Sequence, residues 1–365
     1  MRVLFYYSAP QWTGSARAFA AAARGLGDRG YQVTFVCPGS SAVEVRAAAE
    51  GCDVIPLAPG GSLPVRSWRL QRILTERFVE TVFVHTEAEQ LAVAMAMRLA
   101  GRGGVVRRVP AGGRFHAGRG TRMALRLASG GLMFASRLDE DAVSPLARAR
   151  RPVVAELGVA PSRYDELRPV PAAALGAASP AARLIVCVYD GAERVRAAGV
   201  LRTMALLAPR HPELHLVLLG HGAGHEDLRM HAAALGIARR ITHVDERDDD
   251  LAVLRAADVG WVAATLDTAA YAALDFMAMR IPVLTDRGTV AERYLAAGIT
   301  GAVLTPGDTA AAAATVAELL ANDAQRTAMG SAGRARVARQ YDERAMLDAV
   351  QQAADSARDR TLWTG

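Results

Sequence analysis

Residues 184–219 read LIVCVYDGAERVRAAGVLRTMALLAPRHPELHLVLL. An apolar run at 184–188 leads into a helical stretch at 199–208, and a second apolar run follows at 214–219. Unbroken apolar strands on either side of a helix indicate a parallel sheet covered on both faces, because a strand buried on both sides has no polar face to alternate with. The same alternation precedes it. Strands are expected at 2–7, 32–37, 53–56, 81–85, 105–109 and 132–135, with helices at 15–27, 42–49 and 87–100. Between the two series lies 152–180, which holds Pro161, Pro169 and Pro171, ends in PAAALGAASP, and reads as a connection. Further strands are expected at 241–244, 259–262, 282–284 and 301–304, and long helices at 310–321 and 342–358. The fold class is α/β, with two doubly wound Rossmann-like domains facing across a cleft, where ligands meet the carboxyl ends of the strands. One large α/β sheet is the alternative. The expected boundaries are 1–160, a linker at 161–182, a second domain at 183–342, and a closing helix at 343–365 that packs back on the first domain.

Composition sets limits. At roughly 150 residues per domain, 365 residues suit two domains, and 51% hydrophobic with 22% charged residues is globular. No apolar run reaches the ~20 residues of a membrane span. The start, MRVLFYYSAP, reads as a buried strand and not a secretory signal. Cys37, Cys52 and Cys187 show neither a disulfide framework nor a zinc spacing, so a cytoplasmic place is expected. The net charge of +6 is uneven: residues 1–150 carry +9 and residues 151–365 carry −3. An anionic partner for the first half follows. All 43 basic residues are arginine.

Several segments invite chemistry. Val217-Leu218-Leu219-Gly220-His221-Gly222 runs from a strand through glycines towards a helix, which lets backbone approach a phosphate or base; an ordinary turn is the alternative. In TLDTAAYAALDFMAMRIPV, residues 265–283, Asp267 is expected just before a helix as its cap, and Asp275 lies two turns in among apolar residues. The pair reads either as a cap plus a solvated aspartate or as two carboxylates binding sugar hydroxyls. Asp248-Asp249-Asp250 precedes a helix, whose N-terminus favours negative charge. His221 and His225 lack a third metal ligand, and no bound metal is expected. Leu70, Leu74 and Phe78 form an apolar helical stripe, with Arg66, Arg69 and Arg72 opposite, and Arg107, Arg108, Arg114, Arg119, Arg122 and Arg126 follow. Solvated surface, an anionic membrane face and an anionic acceptor are open readings. Nucleic acid is not expected, since aromatics are only 5% and not interleaved with the arginines.

The stretch 214–341 resembles the family 4 glycosyltransferases of the GT-B fold. It carries Leu219-Gly220-His221-Gly222, Ala257-Asp258-Val259, Met277-Ala278-Met279-Arg280-Ile281-Pro282-Val283, Pro306-Gly307-Asp308 and Gln340-Tyr341. The resemblance is looser in the first half, at Gly14, Val84-His85 and Glu156-Leu157-Gly158-Val159. It implies a retaining transfer of a sugar from a nucleotide-sugar donor, without a cofactor, to an acceptor that the basic first half would make anionic or lipid-linked. On the membrane reading of those arginines, the enzyme would sit peripherally on an anionic inner membrane face. It implies donor-sugar contact at Asp267, ribose contact at Asp275, and close backbone approach at Gly14 and Gly222. His85 would be an acceptor-side group. Departures are specific. Both family glutamates are aspartate, its Gly-Phe-Gly is Thr268-Ala269-Ala270, and a family glycine is Arg280. The diphosphate-binding lysine is Ala197 or Ala198, which leaves Arg194 and Arg196 to take its place. The family histidine after the strand at 105–109 is not found. The rival is a non-catalytic GT-B-like binding protein with a decayed donor site; a sugar-nucleotide epimerase of the same fold is a third reading.

Overall fold

The computed structural model describes residues 1–58, 60–116, 118–137, 151–221, 225–245 and 250–362. The chain divides into two compact units, one of Met1–Leu157 with the C-terminal helix and one of Gly158–Asp342. In the first unit the chain runs β1 (Arg2–Tyr6), α1 (Gly14–Asp28), β2 (Gln32–Pro38), α2 (Ala42–Ala49), β3 (Val54–Leu57), α3 (Leu63–Glu76), β4 (Thr81–Val84), α4 (Glu87–Ala100), β5 (Gly104–Val109), α5 (Arg119–Leu127), β6 (Ser129–Phe134) and β7 (Val153–Val154). The sheet order is β3-β2-β1-β4-β5-β6-β7, and all pairs are parallel. The strands are unbroken apolar runs because both faces are covered. Phe5 and Phe83, paired in register, stack 4.8 Å apart in the interior.

The second unit runs β8 (Arg183–Asp190), α6 (Arg194–Leu207), β9 (Leu214–His221), α7 (His225–Ala234), β10 (Ile241–Asp245), α8 (Asp250–Arg255), β11 (Val259–Ala263), α9 (Leu266–Ala278), β12 (Val283–Asp286), β13 (Gly301–Leu304), α10 (Thr309–Ala321) and α11 (Asp323–Gln340). Its sheet is β10-β9-β8-β11-β12-β13, again parallel. Two separate sheets exclude the single-sheet alternative. Both reverse direction of winding beside their first strand, at β1–β4 and at β8–β11. Those are the topological switch points where open α/β sheets bind ligands.

The final helix, α12 (Glu343–Leu362), belongs to the first unit. Its buried Met346, Leu347, Val350, Ala353, Ala354 and Ala357 recur at helical spacing. Ala357 approaches β5 so closely that a Cβ on Gly104 would lie 2.7 Å from its carbonyl oxygen. Thr81 donates to the Ala354 carbonyl at 3.2 Å, and Arg24 pairs with Glu343 at 2.7 Å.

Some expectations need correction. The proline-rich stretch is not a free connection: Pro161–Tyr164 and Ala172–Leu175 form short 3-10 turns that belong to the second unit, because they bury Tyr164 and Leu175. Phe78 does not extend the Leu70–Leu74 stripe. The helix ends at Glu76, Phe78 takes φ 54°, and its exposed ring lies between the guanidinium groups of Arg2 and Arg102. Two helices were not anticipated. α5 hides in an arginine- and glycine-rich stretch. α11 buries Met329, Gly330, Gly333 and Val337, and glycines supply no apolar periodicity. Of Asp248-Asp249-Asp250, Asp250 opens α8, whereas Asp248 and Asp249 lie outside the described residues.

Candidate active site

At the switch point of the second sheet, β8 ends at Asp190 and β11 at Ala263. Asp190 Oδ2 accepts from the backbone N–H and the hydroxyl of Thr265, each at 2.6 Å, and its Oδ1 accepts from the Glu193 N–H at 3.2 Å. One carboxylate therefore ties the β8 loop to the β11 loop. Thr265 is the N-cap residue of α9 but gives its hydroxyl to Asp190 and caps nothing. The next residue, Leu266, takes φ 48°, a left-handed conformation that costs an L-residue about 1–2 kcal/mol. Strain of this kind collects at functional sites.

Asp267 and Asp275 both lie on α9. The expectation that Asp267 precedes and caps the helix is wrong: the helix starts at Leu266, two residues earlier than a cap at Asp267 requires, so Asp267 is its second residue, and it is 0% exposed. Asp275 is 2% exposed, and its Oδ1 accepts from the Tyr164 hydroxyl at 2.6 Å. The reading of a solvated aspartate is thereby excluded. Tyr164 was missed by sequence reasoning, since nothing local links it to a residue 111 positions away.

Arg194 and Arg196 open α6. Arg194 is exposed and pairs with Asp227 at 3.0 Å, a surface contact that contributes little. Arg196 is more enclosed: its Nε pairs with Glu193 and its Nη1 with Asp286, both at 2.9 Å. It borders a cavity of about 260 Å³ shared with Gly199, Arg202, Pro306, Gly307 and Asp308. The start of α6 and the Pro306-Gly307-Asp308 segment thus meet. In the Leu-Gly-His-Gly run, a Cβ on Gly220 would stand 2.6 Å from the Tyr189 carbonyl, so that glycine serves strand packing. Gly222 lies outside the described residues.

In the first unit, Gly14 is buried at the start of α1, beside the N-cap Thr13, whose hydroxyl meets the Tyr7 hydroxyl at 2.7 Å. His85 follows β4. Its Nδ1 lies 2.7 Å from Glu89 Oε2, and its ring stacks on Tyr7 at 4.4 Å. Glu89 is 0% exposed and completes a capping box with Thr86 at the start of α4. Burial pushes the Glu89 carboxyl up, but hydrogen bonds and charge from His85 and a bond from Ser8 outweigh it and the net shift is downward. A second cavity, about 100 Å³, lies nearby against Tyr6, Ser8, Pro38 and Arg66.

The arginine-rich region is not one surface. Arg107 and Arg108 are 9% and 3% exposed, contrary to the expected basic face, because β5 is a central strand. Arg107 donates to Gln90 and Thr121 and lies over the Phe115 ring. Burial pulls it below the usual arginine value, and Glu87 and Glu89 push back. Arg72 is exposed on α3, with its guanidinium over Trp68, which is 55% exposed. Among the described residues, no group of His, Cys, Asp and Glu is arranged to hold a metal ion, and no helix is long and apolar enough to cross a membrane.

Two parallel sheets, each wound outward from a switch point, define the GT-B class. Residues 179–336 match the family model described as glycosyl transferases group 1. That match lies within the second unit. A glycosyltransferase from Rickettsia africae superposes with a TM-score of 0.77 at 14% identity, over 98% of each chain. HepE of Anabaena, solved with UDP and glucose, superposes with 0.78 at 16% identity, over 98% of this chain and 100% of that one. LpsE of Rhizobium meliloti, a lipopolysaccharide core biosynthesis glycosyltransferase, is 25% identical over 150 residues. That alignment spans 41% of this chain and 44% of LpsE, under half of either.

Proposed function

We propose that the chain transfers a sugar from a nucleotide-sugar donor to an acceptor, with retention of anomeric configuration. The observation that carries the reading is the switch point of the group 1 domain. There, Asp190 joins two strand-end loops and α9 presents two buried carboxylates. Asp267 serves the donor sugar and Asp275 the nucleotide ribose. Arg196 receives the diphosphate, assisted by Arg194. Among the described residues no bond engages Arg196 Nη2, so it can take a phosphate oxygen while Nε and Nη1 keep their carboxylates. Gly222 lets backbone approach the nucleotide, as Gly14 does in the first domain. A retaining transfer asks the protein mainly to align donor and acceptor and to stabilise the departing diphosphate. HepE holds UDP and glucose, so a UDP-sugar is the first donor to test.

His85 serves the acceptor in the first domain. The acceptor is an anionic or lipid-linked saccharide, in keeping with the lipopolysaccharide named for LpsE. Trp68 and the arginines of α3 are the surface that meets an anionic membrane face, with the protein peripheral on its cytoplasmic side. Aromatic rings settle at the water–lipid boundary, and arginines add attraction to anionic headgroups.

Calorimetry with UDP and UDP-glucose tests the donor site. Binding is expected, weakened by about 1.5–3 kcal/mol in Asp275→Ala. Asp267→Ala is expected to reduce turnover more than nucleotide affinity. If neither the unaltered chain nor the Asp267→Glu, Asp275→Glu double variant binds either compound, the transferase reading falls.

A further inference from the structure

His85 is held on three sides. Its ring lies parallel to Tyr7, with an interplanar angle of 14° and centroids 4.4 Å apart. The edge of Phe19 meets it at 6.1 Å and 80°. Tyr7 is itself fixed, because its hydroxyl is bound to Thr13 Oγ1 at 2.7 Å. The third contact is Glu89, across one helical turn at 2.7 Å.

The chemistry around Glu89 decides which way the proton lies. Glu89 Oε1 accepts from the Ser8 N–H at 2.6 Å, and Oε2 accepts from the N–H groups of His85 and Thr86 at 2.9 and 3.1 Å. A fully buried carboxyl facing three backbone donors is an acceptor, so Nδ1 carries the proton and donates to it. In the neutral ring, Nε2 then bears the lone pair. Among the described residues, no hydrogen bond engages Nε2, and the His85 side chain is 15% exposed. Glu89 also links the ends of β1 and β4 through Ser8 and His85, so this atom is set at the switch point of the first sheet.

We propose that Glu89 is a positioning residue that fixes His85 with Nε2 as a preset hydrogen-bond acceptor for a hydroxyl group of the acceptor saccharide. A carboxylate behind an imidazole sets its tautomer and direction in this way in hydrolytic triads. A neutral sugar hydroxyl, which can donate, suits a bare nitrogen backed by a buried negative charge. The proposal rests on the transferase reading for the identity of the ligand, but its geometry does not.

Nitrogen-15 spectra of the imidazole groups test it directly, with His85 assigned by its loss in His85→Gln. The unaltered chain is expected to show Nδ1–H and a bare Nε2, and titration with methyl α-D-glucopyranoside is expected to shift Nε2. Glu89→Gln is expected to release the tautomer preference. A structural histidine would not respond to sugar. Should Glu89→Gln not fold, two changes at His85 itself decide. Asn can keep a donor towards Glu89 but has nothing at the Nε2 position, and saccharide affinity is expected to fall about tenfold. Gln places a carboxamide near Nε2 and is expected to stay within about threefold of the unaltered chain. An Nε2–H tautomer, an Nε2 signal unmoved by saccharide, or equal losses in the two His85 variants would overturn the proposal. Failure of UDP-glucose to bind would instead remove the donor reading and leave these results standing.

Discussion

Tyr164→Phe removes one oxygen atom from the interior of the second domain. Tyr164 and Asp275 are 3% and 2% exposed, and the hydroxyl lies 2.6 Å from the carboxylate. With so little solvent at either group, water cannot replace the bond, and it contributes about 1.5–3 kcal/mol. For a domain of about 150–250 residues, each kcal/mol moves the midpoint by about 2–4 °C, so the domain's transition should fall by about 3–12 °C. Scanning calorimetry on the full chain measures it. A double-mutant cycle isolates the pair. In an Asp275→Ala background the Tyr164–Asp275 bond is already gone, so Tyr164→Phe should cost less there by the worth of that bond. An equal loss in both backgrounds, or a loss under about 0.5 kcal/mol in the first, within the usual range of surface changes, would show that the hydroxyl does not support Asp275. The same variant reads on function: a carboxylate left without this donor should orient ribose less well, and nucleotide affinity should drop alongside stability.

Arg280 takes φ 62° with an exposed side chain, so Arg280→Gly should raise stability by up to about 1 kcal/mol in chemical denaturation; relief of left-handed strain exceeds the added chain entropy of glycine. Glu89 is held below its ordinary value of 4.5, so the unfolded chain binds more protons than the folded one as pH falls through that range. Its stabilisation is present above pH 4.5 and lost below it, and Glu89→Gln should flatten the acid limb of a stability–pH curve. Binding to vesicles rich in anionic lipid should weaken as salt rises, and Trp68→Ser should weaken it further at low salt. Equal binding to neutral vesicles would remove the membrane assignment.

The alternation of apolar runs with helices was sufficient to read two parallel sheets, because strands buried on both faces need unbroken apolar sequence. The 214–341 motifs likewise marked the part of the chain that matches the group 1 family model, since glycines and prolines mark chain geometry locally. Gly14 and His85 came only from the looser resemblance of the first half, and the structure places them at the start of α1 and just after β4. Partnerships were a different matter. Asp275 reads the same whether solvated or buried, and only the fold brings Tyr164 to it across 111 residues. The arginines of β5 looked like those of α3 until the sheet order placed one set in its centre and left Arg72 on the surface. Within the helix expected at 87–100, nothing set Glu89 apart. Its hold on Ser8, 81 residues away, exists only because β1 and β4 are neighbours, and strand order is a property of the whole chain's packing that no single segment encodes.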